Sequence, residues 1–230
     1  MAAKRAHFGP ALFEFLRQLK KNNNRDWFLK NKPRYESDVR DPTLRFIQDV
    51  GPGLKKVSRH IVADPRPVGG SLFRVNRDIR FSKDKSPYKT AVGMSFWNDS
   101  GGQAVAPGFY LHLEPGTSFA GGGIHMTDNK TLNKVRDLIV AEPATWKRVT
   151  RQARFAPMYV YMGESLKRAP QGYAPENPLV EDLKRKGYSW HQHFTEAHVI
   201  APDFMNRYLE GCRGASPFAG LLARALTAPW

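Results

Sequence analysis

The segment "GFYLHLEPG" carries three side chains whose types and spacing suit acid–base chemistry. Tyr110, His112 and Glu114 are two residues apart, so a β-strand would place them on one face. An imidazole has the intrinsic pKa needed for proton transfer near neutral pH. His112 and Glu114 are therefore the candidate catalytic acid–base pair. The alternatives are a face that only contacts a ligand, meets solvent or packs beneath a helix.

A second group of candidates lies in the basic run "FRVNRDIRFSKDKSPYKT", residues 73–90. Its only acids are Asp78 and Asp84. Lysine and arginine bind phosphate and carboxylate groups, so this run predicts one wall of an anion site. The alternative is a solvated turn in which the two aspartates pair with neighbouring cations. The candidate ligand-binding residues, with Tyr110 from the strand, are Arg74, Arg77, Arg80, Lys83, Lys85, Tyr88 and Lys89.

Three consecutive glycines, Gly121, Gly122 and Gly123, follow in "SFAGGGIHM". Without side chains they would let a ligand, or another strand, approach the backbone closely. They join the candidate ligand-binding set, with a β-bulge or a tight crossing of the sheet as the alternative. The sequence around them matches neither the P-loop nor the dinucleotide-binding fingerprint.

Histidines recur in "HQHFTEAH", where His191 and His193 would share a strand face and Glu196 and His198 follow. Imidazole and carboxylate can ligate a metal. This spacing alone is weak, so we predict no metal site and leave the role of these histidines open. Cys212 has no recognisable nucleophile context, and no motif names a cofactor.

The composition favours an anionic partner. The 230 residues hold 36 Lys and Arg against 21 Asp and Glu, giving a net charge of +15. Such a charge attracts nucleic acid, anionic lipid or acidic metabolites, although proteome bias or solubility would also account for it. No recognition helix or RNA-binding motif is evident, which leaves only non-specific nucleic-acid binding open. Without a long apolar run, and with one cysteine, we expect a soluble cytoplasmic protein without membrane association.

The elements that must position these residues form one predicted domain over 1–230, of class α+β. Residues 10–62 are predicted to be helical, 71–126 rich in strands, and 127–230 a mixture of helices and loops. A central antiparallel or mixed β-sheet would then be flanked by N-terminal and C-terminal helices. The predicted strands are "SLFRV", "AVGMSFWN", "GFYLHLEPG", "SFAGGGIHM" and "YSWHQHFTEAHVI".

Several residues mark where the predicted helices begin or break. Asn24 is a candidate N-cap, and Thr127 or Asp128 is a second one. Pro52 would kink or split the helix that begins near Pro42. The C-terminal segment 203–226 is predicted to form one helix or two, split near "GASP", and a Gly-rich turn is predicted at 100–102.

Three segments together resemble one known family: "FRVNRDIRFSKDKSPYKT", "GFYLHLEPGTSFAGGGIH" and "LKRAPQGYAPENP". The chain is similar over most of its length to the domain of unknown function 2461 family, conserved hypothetical proteins of bacteria and fungi. The resemblance implies no particular reaction. It implies that "RFSKDKSPYK", "YLHLEP" and "AGGG" contribute to a shared site. The histidines of "SWHQHFTEAH" depart from the family pattern.

Three functional hypotheses follow. The first is a binding protein whose cationic, Gly-lined pocket holds a phosphorylated or carboxylated small molecule. The second is an enzyme acting on such an anion, with His112 and Glu114 as acid and base and the lysines and arginines as charge clamps. The third is a protein-interaction scaffold or a non-specific nucleic-acid binder.

Overall fold

The computed structural model of the chain describes residues 6–99, 105–124, 128–152, 155–158 and 164–230. The N-terminal region is helical, as predicted. Asn24 caps the second helix, since its side chain accepts a hydrogen bond from the Trp27 backbone N–H at 2.9 Å. The helices of this region are α1 (Pro10–Lys21), α2 (Arg25–Lys30), α3 (Lys32–Arg34), a π-helix (Tyr35–Arg40) and α4 (Asp41–Val57).

A five-stranded sheet follows, with its strands in chain order and every neighbouring pair antiparallel. The antiparallel alternative of the predicted fold is thus the one observed. The strands are β1 (Ile61–Val62), β2 (Val92–Asn98), β3 (Gly108–Leu113), β4 (Ser118–Ile124) and β5 (Tyr188–Phe194).

Helices dominate the rest of the chain, which confirms the α+β class. Asp128 caps the first of them, because its carboxylate accepts a hydrogen bond from the Thr131 N–H at 2.7 Å. Within the described residues, no helix is long and apolar enough to cross a membrane. These helices are α5 (Asn129–Ala141), α6 (Pro143–Thr150), α7 (Val180–Leu183), α8 (Glu196–Ile200) and α9 (Phe204–Ala225).

The sheet has two different faces. The buried face packs against the helices, as where Phe96 meets Tyr208 of α9 with ring centroids 5.9 Å apart. Strict alternation along β3 puts Phe109, Leu111 and Leu113 on this face. We call the opposite side the open face, and its side chains from β2 to β5 are Ser95, Trp97, Tyr110, His112, Phe119, Ser189, His191 and His193.

Two predicted strands were wrong in part. "SLFRV" makes only one isolated bridge, from Leu72 to Met94. After Val75, the two ends of the basic run pair with each other through the Asn76–Tyr88 bridge. This bridge uses backbone groups that would otherwise be free to extend a strand of the sheet. "YSWHQHFTEAHVI" leaves the sheet after Phe194 because the next residue caps α8.

Two prolines lie inside long helices without splitting them. α4 continues through Pro52, and α9 is a single helix through "GASP" and Pro217. A proline costs a helix one backbone donor, and here the buried side of each helix keeps it continuous. The predicted turn at 100–102 and the alternative cap Thr127 lie outside the described residues.

Candidate functional site

The sheet register brings together residues that are far apart in the chain. Tyr110 is directly opposite Ser95 on one side and Gly121 on the other. Gly121 in turn is opposite His191. Because the pairing is continuous across four strands, these residues form one row on the open face.

A hydrogen-bonded chain of three side chains runs along β3. His112 Nε2 lies 3.1 Å from Glu114 Oε2, and His112 Nδ1 lies 3.3 Å from the Tyr110 hydroxyl. In the tautomer whose Nε2–H donates to the carboxylate, His112 accepts a hydrogen bond from the phenol O–H at Nδ1. Burial raises the pKa of Tyr110. The predicted strand face therefore links a carboxylate, an imidazole and a phenol, which we call the polar chain.

Phe119 is the centre of an aromatic cluster on the open face. The His112 ring stacks on it with centroids 5.0 Å apart. His191 and His193 approach the same ring at 5.3 and 6.2 Å, and Tyr110 approaches it at 5.9 Å. The sequence did not single out Phe119, and it gave no indication that His112 lies near the histidines of β5. The period of two along β4 and β5 would have indicated the shared face, had the pairing of these strands been known.

A groove of about 450 Å³ lies on the open face beside this cluster. Tyr110 and the three glycines are the predicted site residues that line it, and none of the six cations of the basic run is among its described lining. Its other walls, which the sequence did not single out, include Phe73, Ser95, Trp97, Phe119, Ser189 and His191.

Glycine is needed at the three positions for different structural reasons. A Cβ on Gly122 would lie 2.5 Å from the Gly108 carbonyl oxygen and 2.7 Å from Trp190 Nε1, on the buried face. Gly123 has φ of +111°, and its Cβ would meet the Tyr188 carbonyl oxygen at 2.2 Å. A tight crossing of the sheet therefore accounts for these two. Gly121 faces the groove, and a Cβ there would be 3.0 Å from the Trp190 carbonyl oxygen.

Both aspartates of the basic run pair with arginines. Arg80 binds Asp78 through two hydrogen bonds of 3.0 and 2.7 Å, and Arg77 binds Asp84. Hydrogen bonds from Ser86, and then a hydrogen bond from Arg77, hold the pKa of Asp84 well below its usual value. The structural alternative raised for this run thus accounts for two of its six cations.

The other four cations have no carboxylate partner within the described residues. Lys85 Nζ donates to the Ile79 carbonyl at 3.0 Å, and Lys89 Nζ donates to the Arg74 carbonyl at 2.8 Å. Lys83 is exposed without a side-chain bond in the described part of the chain. This run therefore keeps an excess of positive charge beside the sheet.

One end of the basic run touches the groove. Phe73 lines it and packs on Tyr110, with centroids 5.9 Å apart. Lys89 Nζ lies 5.5 Å from the Phe73 ring centroid. Burial, and then the charge of Arg74, lowers the pKa of Lys89. Two like charges thus lie close together next to the groove wall.

Tyr88 is placed differently from the other candidates. Its ring is 7% exposed and stacks on Phe28 at 4.0 Å. Its backbone N–H donates to Asn23 at 3.0 Å. We therefore correct its assignment: the Tyr88 ring belongs to the core packing between the basic run and α2.

The remaining chemical candidates lie apart from the groove. His198 belongs to the capping box of α8, where its N–H donates to the Thr195 hydroxyl at 3.2 Å. No group of three or more His, Cys, Asp or Glu in the described segments is arranged to hold a metal. Cys212 is fully buried in α9, and this burial raises the pKa of its thiol.

A family model described as "Conserved hypothetical protein (DUF2461)" matches residues 11–220 of the 230-residue chain. No curated protein and no solved structure matches the chain.

Proposed function

The chain belongs to the DUF2461 family of conserved hypothetical proteins, and we propose that it binds a small anionic molecule with a flat ring in the open-face groove. One observation carries the proposal. The groove of about 450 Å³ has a glycine floor and aromatic walls, and one of these walls, Phe73, has the ammonium group of Lys89 5.5 Å from its ring centroid.

The aromatic walls support a ring-shaped ligand. Small-molecule sites are typically concave and apolar, with a few polar groups that fix orientation. Tyr110 and Phe119 offer ring faces and edges to a stacked partner. Gly121 adds no side chain, so a flat ring can approach the strand backbone. Ser95 and Ser189 supply hydroxyl groups at the same surface.

The charge at the end of the groove supports an anionic group on that ligand. Arg74 and Lys89 are close enough for the Arg74 charge to lower the pKa of Lys89. Neither has a carboxylate partner among the described residues. A bound carboxylate or phosphate would relieve this repulsion and stabilise both cations in their charged form.

A second candidate function is acid–base catalysis on the same ligand, and the polar chain favours it. Tyr110 lines the groove, while His112 and Glu114 extend behind it through bonds of 3.3 and 3.1 Å. As the Tyr110 phenol takes a proton from the ligand, its own proton can pass to His112, and the resulting imidazolium is stabilised by Glu114. On this hypothesis the cations bind the ligand and the polar chain moves the proton.

Binding is tested with a panel of aromatic carboxylates and aromatic phosphates, by thermal shift and then calorimetry. A ligand that binds only the folded state raises the unfolding midpoint. We expect Lys89→Gln to weaken binding of the best compound clearly more than Lys83→Gln does, since it removes a positive charge that lies 5.5 Å from the ring of the groove residue Phe73. Lys83→Gln is the matched control: it removes the same charge from the same run, at an exposed position away from the groove.

The outcomes separate the hypotheses. Equal weakening by Lys83→Gln and Lys89→Gln, with a steep salt dependence on short duplex DNA, would instead indicate non-specific nucleic-acid binding. If no compound binds, the proposal is wrong, and the result supports the hypothesis of a protein-interaction scaffold. With a ligand in hand, His112→Gln should leave the affinity unchanged under either function, but it should abolish turnover if the protein is an enzyme.

A further inference from the structure

A second cavity, of about 600 Å³, lies where β5 meets α8 and α9. Its described lining shares no residue with the open-face groove. α9 lines it at positions three or four residues apart, from Arg207 to Pro217, so one face of the helix forms a wall. β5 contributes its last three residues, 192–194, at the opposite wall.

Charged groups at the rim of this cavity are only partly paired. Arg207 donates to Asp203 at 2.8 Å. Arg213 and Glu210 lie on the same helix wall, and neither forms an ion pair within the described residues. Both side chains are exposed, so a carboxylate and a planar guanidinium lie three residues apart on this helix wall without an ion-pair partner in the described part of the chain.

Gln192 supplies a polar group deeper in the wall. Its Oε1 is inaccessible to solvent and accepts no hydrogen bond from the described residues. It lies against α9 at Gly211, where a Cβ would come within 2.1 Å of it. A side chain at position 211 would displace the amide from where it lies. A buried amide oxygen without a donor destabilises the fold, so packing alone does not explain the residue.

The amide can reach the cavity with little cost. The terminal torsion of a glutamine side chain is broad and has no single staggered minimum. Gln192 lines the cavity, so a turn of its amide would offer Oε1 to a donor there. The cavity thus combines a guanidinium, a carboxylate and an amide acceptor that all lack a partner in the described chain.

We propose that this cavity is a second ligand site, and that it takes a free amino acid or a short peptide. The carboxylate of such a ligand fits the fork of Arg213. Its ammonium group fits the carboxylate of Glu210, and a remaining N–H supplies the donor that Gln192 lacks. A plain anion would satisfy only the first of these groups.

The test is ligand-observed NMR on the whole protein with each of the common amino acids and a set of dipeptides, and with acetate as the plain anion. We expect at least one zwitterion to bind and acetate not to. Arg213→Gln should weaken the zwitterion by about tenfold or more. Arg45→Gln, at an exposed position on α4 away from the cavity, removes the same charge and should leave the affinity unchanged.

Gln192→Leu tests the deeper contact by a second readout. It keeps the size of the side chain and removes the unpartnered amide, so the thermal midpoint should rise while the affinity for the zwitterion falls. The proposal is overturned if no amino acid or dipeptide binds. It is equally overturned if acetate binds as well as the zwitterion, or if Arg213→Gln and Arg45→Gln behave alike. Lys89→Gln, which tests the open-face groove, should not change this affinity.

Discussion

The two faces of the sheet use the same strands for opposite purposes. On the buried face Phe96, Phe109 and Trp190 are almost fully covered. On the open face the neighbouring positions hold Tyr110 and Phe119, which stay half-exposed. Both faces are rich in aromatic rings, so residue type alone does not distinguish core from site.

The polar groups make the difference between the faces. On the open face, imidazole, phenol and carboxylate groups bond to one another within the polar chain, as His112 does with Tyr110 and Glu114. On the buried face, polar side chains mostly bond to the backbone, as when the Tyr188 hydroxyl donates to the Asp182 carbonyl at 3.0 Å. A polar group whose partner is another titratable side chain is the one that can move a proton.

The largest expected contrast comes from two phenylalanines on neighbouring strands. Phe109→Ala leaves a cavity in the buried face and should lower the free energy of unfolding by about 3–5 kcal/mol. Phe119→Ala removes a partly exposed ring and should cost about 1–2 kcal/mol, because folding buries less of the apolar area of this ring. Urea denaturation of both variants measures the difference.

Equal losses for the two variants would break the comparison between the faces. It would mean that Phe119 is a core residue and that the open face is covered in solution. A near-native stability of Phe119→Ala, together with weaker binding of the groove ligand, would instead sharpen the assignment of this ring to the site.

A smaller contrast is expected at two adjacent glycines of β4. The methyl group of Gly122→Ala meets the Gly108 carbonyl oxygen and the Trp190 indole on the buried face, and overpacking of this kind costs about 1–3 kcal/mol. Gly121→Ala places its methyl group towards the groove, beside His191 and 3.0 Å from the Trp190 carbonyl oxygen. This overlap is milder than the one at Gly122 and should cost about 1 kcal/mol. Thermal and urea unfolding measure both.

Ligand affinity should show the reverse order at these positions. Gly121→Ala occupies part of the groove floor, so it should weaken the groove ligand while the protein stays folded. The Gly122→Ala variant should bind the groove ligand with native affinity at temperatures where it remains folded. If Gly121→Ala binds as well as native protein, the ligand does not approach the β4 backbone.

Much of the open face could be predicted from local sequence. The alternation in "GFYLHLEPG" gave the correct face to Tyr110 and His112, because a strand has a fixed period of two. Glu114 lies just past the end of β3 and still reaches His112. The cap at Asp128 was one of two predicted positions, since its side chain can satisfy an unpaired N–H at the helix start. Such features depend on neighbours along the chain.

The rest depends on pairing between distant segments, which local patterns do not encode. Phe119 meets His191 only because β4 pairs with β5, and more than sixty residues separate these strands in the chain. The basic run was predicted as a wall of the site, yet its acids pair within the run and Tyr88 turns into the core. Charge density in a sequence therefore indicates a surface but does not locate a pocket.

The smallest expected contrast is a pH effect on two tyrosines, one on each face. Burial raises the pKa of both, and it does so more strongly for Tyr188 than for half-buried Tyr110. A raised folded-state pKa contributes stability that is complete below the unfolded value of 10.0 and is lost as the pH rises towards the folded value. The free energy of unfolding should therefore begin to fall as the pH approaches 10 and should continue to fall as the pH rises further.

Replacing each tyrosine by phenylalanine separates the two contributions, because lysines that titrate in the same range are unchanged. Tyr188→Phe should flatten the alkaline loss of stability more than Tyr110→Phe does, since the buried phenol resists ionisation more. Urea unfolding of both variants and native protein across this pH range measures the slopes. An equal flattening would place both phenols in equally dry surroundings, and the open face could not then be the accessible side on which the groove ligand binds.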